Sequence, residues 1–332
     1  MSKVKDKEYL ALTAMLRARE AKMPDRDRME RMLSAASFAD AAKMLTDCGY
    51  EDMSEMSASE IDAALNARKA KIYEEIGKMS PEKELLEIFR LKYDYHNAKV
   101  IVKASGLGIG GDHLLQEMGR VKTETLSNAY LEDRYVDVPD LMAKAVKEAQ
   151  VTLAKTGNSQ AAEFILDRAY HEELTRIAGQ QGSAYLSGYV KILIDSANLG
   201  AAVRTVRMKK GIDFLMTALF TGGTVSPKMM AEAALNGDGL AVLFNSTPLA
   251  EAALLGVEAM KGGSMTKFEL ACDNGVTAYL AKAKLISFGS EVVIDYLAKV
   301  EREITAIRMI LTGRLAGIKP EVIRERLRDI HA

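Results

Sequence analysis

The stretch ILIDSANLGAAVRTVR, residues 192–207, closes a helix–turn–helix pattern that begins near Ala162. The pattern occurs three times along the chain. An earlier copy ends in KYDYHNAKVIVKA, residues 92–104, and a later copy contains DYLAKVEREITAIRMILTG, residues 295–313. Each copy carries apolar residues at helical spacing, and no segment alternates apolar and polar residues long enough to demand a strand. The chain is therefore predicted to be all-α and built from helical repeats.

Polar residues at a constant separation along the chain support the repeat. The three pairs that share this separation are Asn66 and Asp94, Asp167 and Asp195, and Asp273 and Glu301. In the first two copies an asparagine, Asn97 or Asn198, stands three residues after the second member of the pair, whereas Ile304 takes that place in the third copy. One inserted residue rotates a helix face by about 100°, so a constant separation is expected where helices must keep the same packing.

The repeat divides the chain into three helical domains. We expect them to span residues 1–111, 112–210 and 211–332. The units that should superpose are 55–107, 156–208 and 262–314, each made of two helical arms joined by a turn. Outside the arms, short helices are expected near 112–118, 121–131 and 139–154, and a terminal helix over 320–330.

Composition and charge exclude several classes of protein. The chain has 332 residues, with 45 basic and 46 acidic side chains, and this balance gives no electrostatic footprint for nucleic acid. The amino terminus, MSKVKDKEYL, lacks the apolar core of a signal peptide, and no run approaches the roughly 18 apolar residues of a membrane span. Cys48 and Cys272 form no spacing motif and are expected to be reduced thiols in the cytoplasm.

No motif for catalysis, cofactor binding or metal binding is present. GLGIGGD, residues 106–112, follows a helix and not a strand, which is typical of a helix C-terminal loop and not of a phosphate loop. The chain has no GxxxxGK[ST] motif. Its four histidines have no second histidine or cysteine at metal-ligand spacing. We therefore predict no catalytic residue, no cofactor and no metal.

The repeated polar residues form the main candidate site. They are Asp94, Asn97, Asp195, Asn198, Asp167, Asp273 and Glu301. Because an acid and an asparagine three residues later lie on one helix face, they suit either acid–base chemistry or hydrogen bonding that fixes one arm against the other. A buried carboxylate needs such partners. Recurrence in each unit favours the structural role, because an active site rarely occurs in triplicate.

At these arms the chain resembles the C subunit of prokaryotic V/A-type rotary ATPases, the equivalent of the d subunit of the eukaryotic vacuolar enzyme. The residues that carry the resemblance include LDRAYHEEL, residues 166–174, the arms quoted above, and DYLAKVEREITAIRMILTGRLAGIKPEVIRERLR, residues 295–328. The resemblance covers nearly the whole chain. It implies three similar helical domains around a pseudo-threefold axis, arranged as a funnel.

The resemblance also implies a function without catalysis. The funnel would sit on the membrane-embedded ring of ion-carrying proteins and receive the foot of the central axle. It would transmit torque between ATP hydrolysis or synthesis and proton or sodium transport. The protein is then expected to be one copy within a hetero-complex, on the cytoplasmic face of the membrane, with no span of its own. The alternatives are a helical-repeat scaffold that binds another protein and a helical enzyme with an unrecognised site.

Overall fold

A computed structural model of the chain describes residues 4–328, and within that range it contains sixteen α-helices and no strand. The prediction of an all-α fold is confirmed. The helices are α1 Leu10–Glu20, α2 Arg26–Ser34, α3 Phe38–Lys43, α4 Ala58–Met79, α5 Leu85–Leu107, α6 Thr123–Leu131, α7 Asp140–Thr156, α8 Ser159–Gln181, α9 Ala184–Arg207, α10 Ile212–Ala218, α11 Pro227–Ala234, α12 Gly239–Phe244, α13 Ala250–Met260, α14 Met265–Leu280, α15 Ser290–Leu315 and α16 Pro320–Arg324. Between the start of α1 and the end of α16, no helix is both long enough and apolar enough to cross a membrane.

The first arms of the three repeats begin with the same device. α4, α8 and α14 are preceded by Ser57, Asn158 and Ser264, and each of these side chains accepts a hydrogen bond from the backbone N–H three residues later. That bond satisfies one of the amides that a helix start leaves without a partner. The three caps have the same separation along the chain as Asn66, Asp167 and Asp273, so the repeat spacing fixes where each first arm starts.

The chain divides into two compact units. One contains the chain up to Lys83, Ala202–Lys210 and the chain from Glu232 onward; the other contains Glu84–Ala201 and Gly211–Ala231. The division into three domains that the repeat predicts stays a prediction.

Each unit has a long second arm in its core. In the first unit α15 packs against α1, α2, α3 and α4, and every residue from Val292 to Val300 is buried. A helix buried all round is the centre of its domain. In the second unit α5 packs against α7 and α8, and α7 and α8 also pack against each other.

Two of the predicted short helices differ in the structure. Residues 112–118 form only a single 3₁₀ turn, Asp112–Leu114, because side chains of α5 take up the backbone groups of the segment that follows, as described below. The terminal helix expected over 320–330 ends at Arg324, and its last two positions lie outside the described residues. The helices expected near 121–131 and 139–154 correspond to α6 and α7.

Candidate functional site: acid and amide pairs on the second arms

Asn97 and Asn198 each hold the backbone of a segment that follows their own helix. The Asn97 side chain accepts a hydrogen bond from the Gln116 backbone N–H at 2.9 Å and donates one to its carbonyl oxygen at 2.8 Å. The Asn198 side chain makes the same two bonds to Phe220, both at 2.8 Å. Both amides are fully buried. A primary amide that presents one donor and one acceptor to a single residue satisfies both of that residue's backbone groups.

Asp94 and Asp195, one helical turn earlier, bind the same segments a few residues further on. Asp94 accepts hydrogen bonds from the backbone N–H of Arg120 at 2.7 Å and of the next residue at 3.1 Å. Asp195 accepts the equivalent bonds from Thr224 at 3.0 Å and the residue after it at 3.1 Å. Burial raises the pKa of both carboxyls, and these amides oppose the rise. We call the pair, Asp94 with Asn97 or Asp195 with Asn198, the segment clamp.

Each segment clamp depends on a glycine. A Cβ on Gly119 would lie 2.3 Å from a carboxylate oxygen of Asp94, and one on Gly223 would lie 2.2 Å from Asp195. No side chain can occupy that space, because such a contact is far shorter than any van der Waals distance. Sequence reasoning missed both glycines. In sequence, the only indication was that a glycine precedes the backbone N–H groups bound by Asp94 and Asp195 in both copies.

The clamps differ from the prediction in what they bind. The sequence predicted that these four residues fix one arm of a hairpin against the other. Their partners are instead the segments after α5 and α9. The described hydrogen bonds of the two clamps go to backbone groups and to one arginine. The clamps therefore have a structural role, since their carboxylates are bound within the protein.

Arg120 extends the first clamp into a buried charge cluster. Its guanidinium donates to Asp94 at 2.6 Å and to Glu173 of α8 at 2.9 Å, and the Tyr95 hydroxyl also donates to Glu173 at 3.0 Å. Burial alone would lower the pKa of Arg120, but the hydrogen bonds to both carboxylates raise it. Buried carboxylates are tolerated when they are paired in this way. Arg120 has no local sequence signal, since Asp94 and Glu173 are both distant from it along the chain.

A second set of contacts joins the second arm of one repeat to the first arm of the next. The pairs are Lys103 with Glu163, Arg204 with Glu269, and Arg308 with Asp62. The three acids stand at equivalent positions, one helical turn before Asp167, Asp273 and Asn66. Because these ion pairs are partly exposed to solvent, each contributes only about 0–1 kcal/mol to stability. Their main effect is to align neighbouring arms.

The predicted polar residues on two of the first arms lie at these same junctions. Asp167 binds Lys99 and Asn66 binds Arg308. Asp273 instead binds Arg328, which follows α16 and belongs to no arm. Glu301 of α15 accepts a hydrogen bond from the Tyr73 hydroxyl of α4 at 2.5 Å and lies 3.7 Å from the Lys69 ammonium. Of the seven predicted residues, four form the segment clamps, Asp167 and Glu301 lie at junctions between arms, and Asp273 binds the segment after α16.

The histidines on the arms have structural partners. His171 stacks on the Phe220 ring with centroids 4.0 Å apart and bonds the Asp167 carbonyl, and burial lowers its pKa. His96 bonds the Leu114 carbonyl at 3.0 Å. Within residues 4–328, no group of three or more His, Cys, Asp or Glu side chains is placed to hold a metal ion.

A comparison with known protein families assigns the chain. The model of the ATP synthase (C/AC39) subunit family matches residues 12–326, which is almost the whole sequence. The chain belongs to this family. It is thus a subunit of a V/A-type rotary ATPase.

The sequences of individual relatives match this C/AC39 protein over most of their length. The C subunit of the V-type sodium ATPase of Enterococcus hirae is 23% identical over 98% of this chain and 99% of its own. The C subunit of the A-type ATP synthase of Methanocaldococcus jannaschii is 25% identical over 96% of this chain and 86% of its own. The C subunit of the V-type ATP synthase of Thermus thermophilus is 22% identical over 93% of this chain and 94% of its own.

Proposed function

We propose that this C/AC39 protein is the socket that links the rotating axle of the enzyme to its membrane ring of ion-carrying proteins. In this role it transmits torque between ATP hydrolysis or synthesis and proton or sodium transport. Its partners are the central axle proteins and the rotor ring, and it works as a single copy on the cytoplasmic face of the membrane. The whole-chain match to the ATP synthase (C/AC39) subunit family supports membership of the complex.

The observation that carries the proposal is the set of three equivalent junctions. Lys103 of the first repeat binds Glu163 of the second, Arg204 of the second binds an acid of the third, and Arg308 of the third binds Asp62 of the first. In this series each repeat binds the next, and the third binds the first. Three units around a pseudo-threefold axis require such a closed series. We therefore propose three domains, residues 1–111, 112–210 and 211–332, that form a funnel open to the axle.

A socket that transmits torque must resist deformation, and the described contacts supply stiffness. Lys299, buried within α15, donates hydrogen bonds to Asp295 one turn earlier and to Glu20 of α1. Tyr50 donates to the buried Glu303 at 2.5 Å. Buried, paired polar groups of this kind have one good arrangement, since any other leaves a charge without a partner.

Purification from native membranes tests the proposal. A tagged copy of the chain should co-isolate with the ATP-hydrolysing head and the membrane ring after mild detergent extraction. An untagged strain is the control for nonspecific capture. Co-isolation with a different protein, and with neither head nor ring, would contradict the socket and favour a general helical-repeat scaffold.

A further inference from the structure

A pocket in the first unit contains none of the residues of the segment clamps or of the ion pairs between arms. It lies between α1, α4 and α15 and has a volume of about 300 Å³. That is the lower end of the range of about 300–1,000 Å³ for ligand sites, so it fits a small ligand. Its walls carry four basic side chains, Arg19, Lys22, Arg68 and Lys71, against two acidic ones.

The basic side chains are only partly compensated. Arg19 forms an ion pair with Glu75 at 2.7 Å, and the Arg68 guanidinium lies 3.8 Å from the centroid of the Tyr50 ring while its N–H groups bond backbone carbonyls. Lys22 and Lys71 are exposed, and neither forms an ion pair with any residue between 4 and 328. Two positive charges at the rim of the pocket are therefore left to attract an anion.

The second acid, Glu303, does little to cancel them. It is buried at the inner wall, and its exposed fraction is 3%. Burial raises its pKa to about 7, although the Tyr50 hydroxyl and the Arg68 charge favour the anion. Near neutral pH the carboxyl is thus partly protonated. The wall stays positive overall.

We propose that this pocket binds a small phosphate-class oxyanion. A phosphate group carries a charge of about −1.5 to −2 at pH 7, which matches the two free lysines. Arginine and lysine are the side chains that proteins use for this chemistry, and Arg19 on α1 lines the same pocket. The ligand is smaller than a nucleotide, in keeping with the absence of a phosphate loop. Two sources have this chemistry: free phosphate or diphosphate, and the headgroup of an anionic phospholipid.

Calorimetric titration of the full chain with inorganic phosphate and with diphosphate tests the site. We compare the wild type with the double variant Lys22→Ala/Lys71→Ala, which removes side chains that make no described ion pair. The matched control is Lys144→Ala/Lys155→Ala, two exposed lysines of α7 with the same change in net charge. The inference predicts saturable binding that weakens at least tenfold in the first variant and is unchanged in the control.

Sedimentation with vesicles that contain phosphatidic acid separates the two sources. Binding of free phosphate with no added affinity for vesicles identifies the free ion as the ligand. Binding to vesicles alone, lost in Lys22→Ala/Lys71→Ala and kept in the control, identifies the headgroup. Absence of both kinds of binding, or equal binding by the two double variants, overturns the inference. None of these outcomes depends on the socket function.

Discussion

Removal of the Asp195 carboxylate tests the segment clamp. Asp195→Ala takes away the acceptor for two backbone N–H groups, those of Thr224 and Val225. Val225 is buried and its amide has no access to replacement water, whereas Thr224 is exposed and its amide does. One buried donor left without a partner costs about 1–3 kcal/mol. We therefore expect the free energy of unfolding to fall by that amount.

The assay combines chemical denaturation with hydrogen exchange. The denaturation midpoint reports the loss of stability, and exchange measured on a peptide that covers residues 219–226 reports the local cause. Amide exchange in that peptide should become faster in Asp195→Ala. The control is Asp137→Ala, which removes an exposed aspartate of a turn in the same unit and should stay within about 0.5 kcal/mol of the wild type. Unchanged stability with unchanged exchange at 219–226 would refute the clamp.

Three further predictions concern the glycine, the arginine and the buried acid. Gly119→Ala should destabilise the chain by about 1–3 kcal/mol, since its Cβ would lie 2.3 Å from Asp94, whereas Gly110→Ala, with nothing within 4 Å, should have little effect in the same denaturation assay. Arg120→Met removes the charge partner of the buried Asp94 and leaves Glu173 with only Arg176, at 3.4 Å, as an ion pair. It should cost about 3–5 kcal/mol, and a loss below 1 kcal/mol would mean that the charge cluster is not formed. The pKa of Glu303 rises from 4.5 to about 7 on folding. The contribution of the Glu303 carboxyl to the free energy of unfolding is therefore complete below pH 4.5 and is lost as the pH rises through 7. Between those limits the wild type should lose about 3 kcal/mol relative to Glu303→Gln, and parallel stability–pH curves for the two proteins would rule this out.

Local features of the fold were predictable from the sequence because they depend on neighbouring residues. The starts of the first arms follow from Ser57, Asn158 and Ser264, each of which caps its own helix. Helix periodicity and a constant residue separation reveal such elements directly. The repeat spacing also indicated that Asp94 and Asp195 are equivalent, and they are equivalent in their bonds to the backbone.

The contacts of the candidate site were not predictable, because periodicity does not show which distant segment a side chain meets. Asn97 binds Gln116 and Asn198 binds Phe220, and the intervening chain differs in length between the two copies. A search for constant spacing therefore misses both partners. Arg120 is equally hidden, since nothing near it in sequence marks it as the partner of two buried acids.

In the proposed function, this C/AC39 protein couples the axle to the ring. The most direct test is proton or sodium pumping by the rotary enzyme reconstituted into vesicles with and without the protein, with ATP hydrolysis measured in the same preparations. We expect pumping to require the protein, and hydrolysis by the head to continue without it, because the proposed role of the protein includes no step of hydrolysis. Full coupled pumping in its absence would contradict the claim.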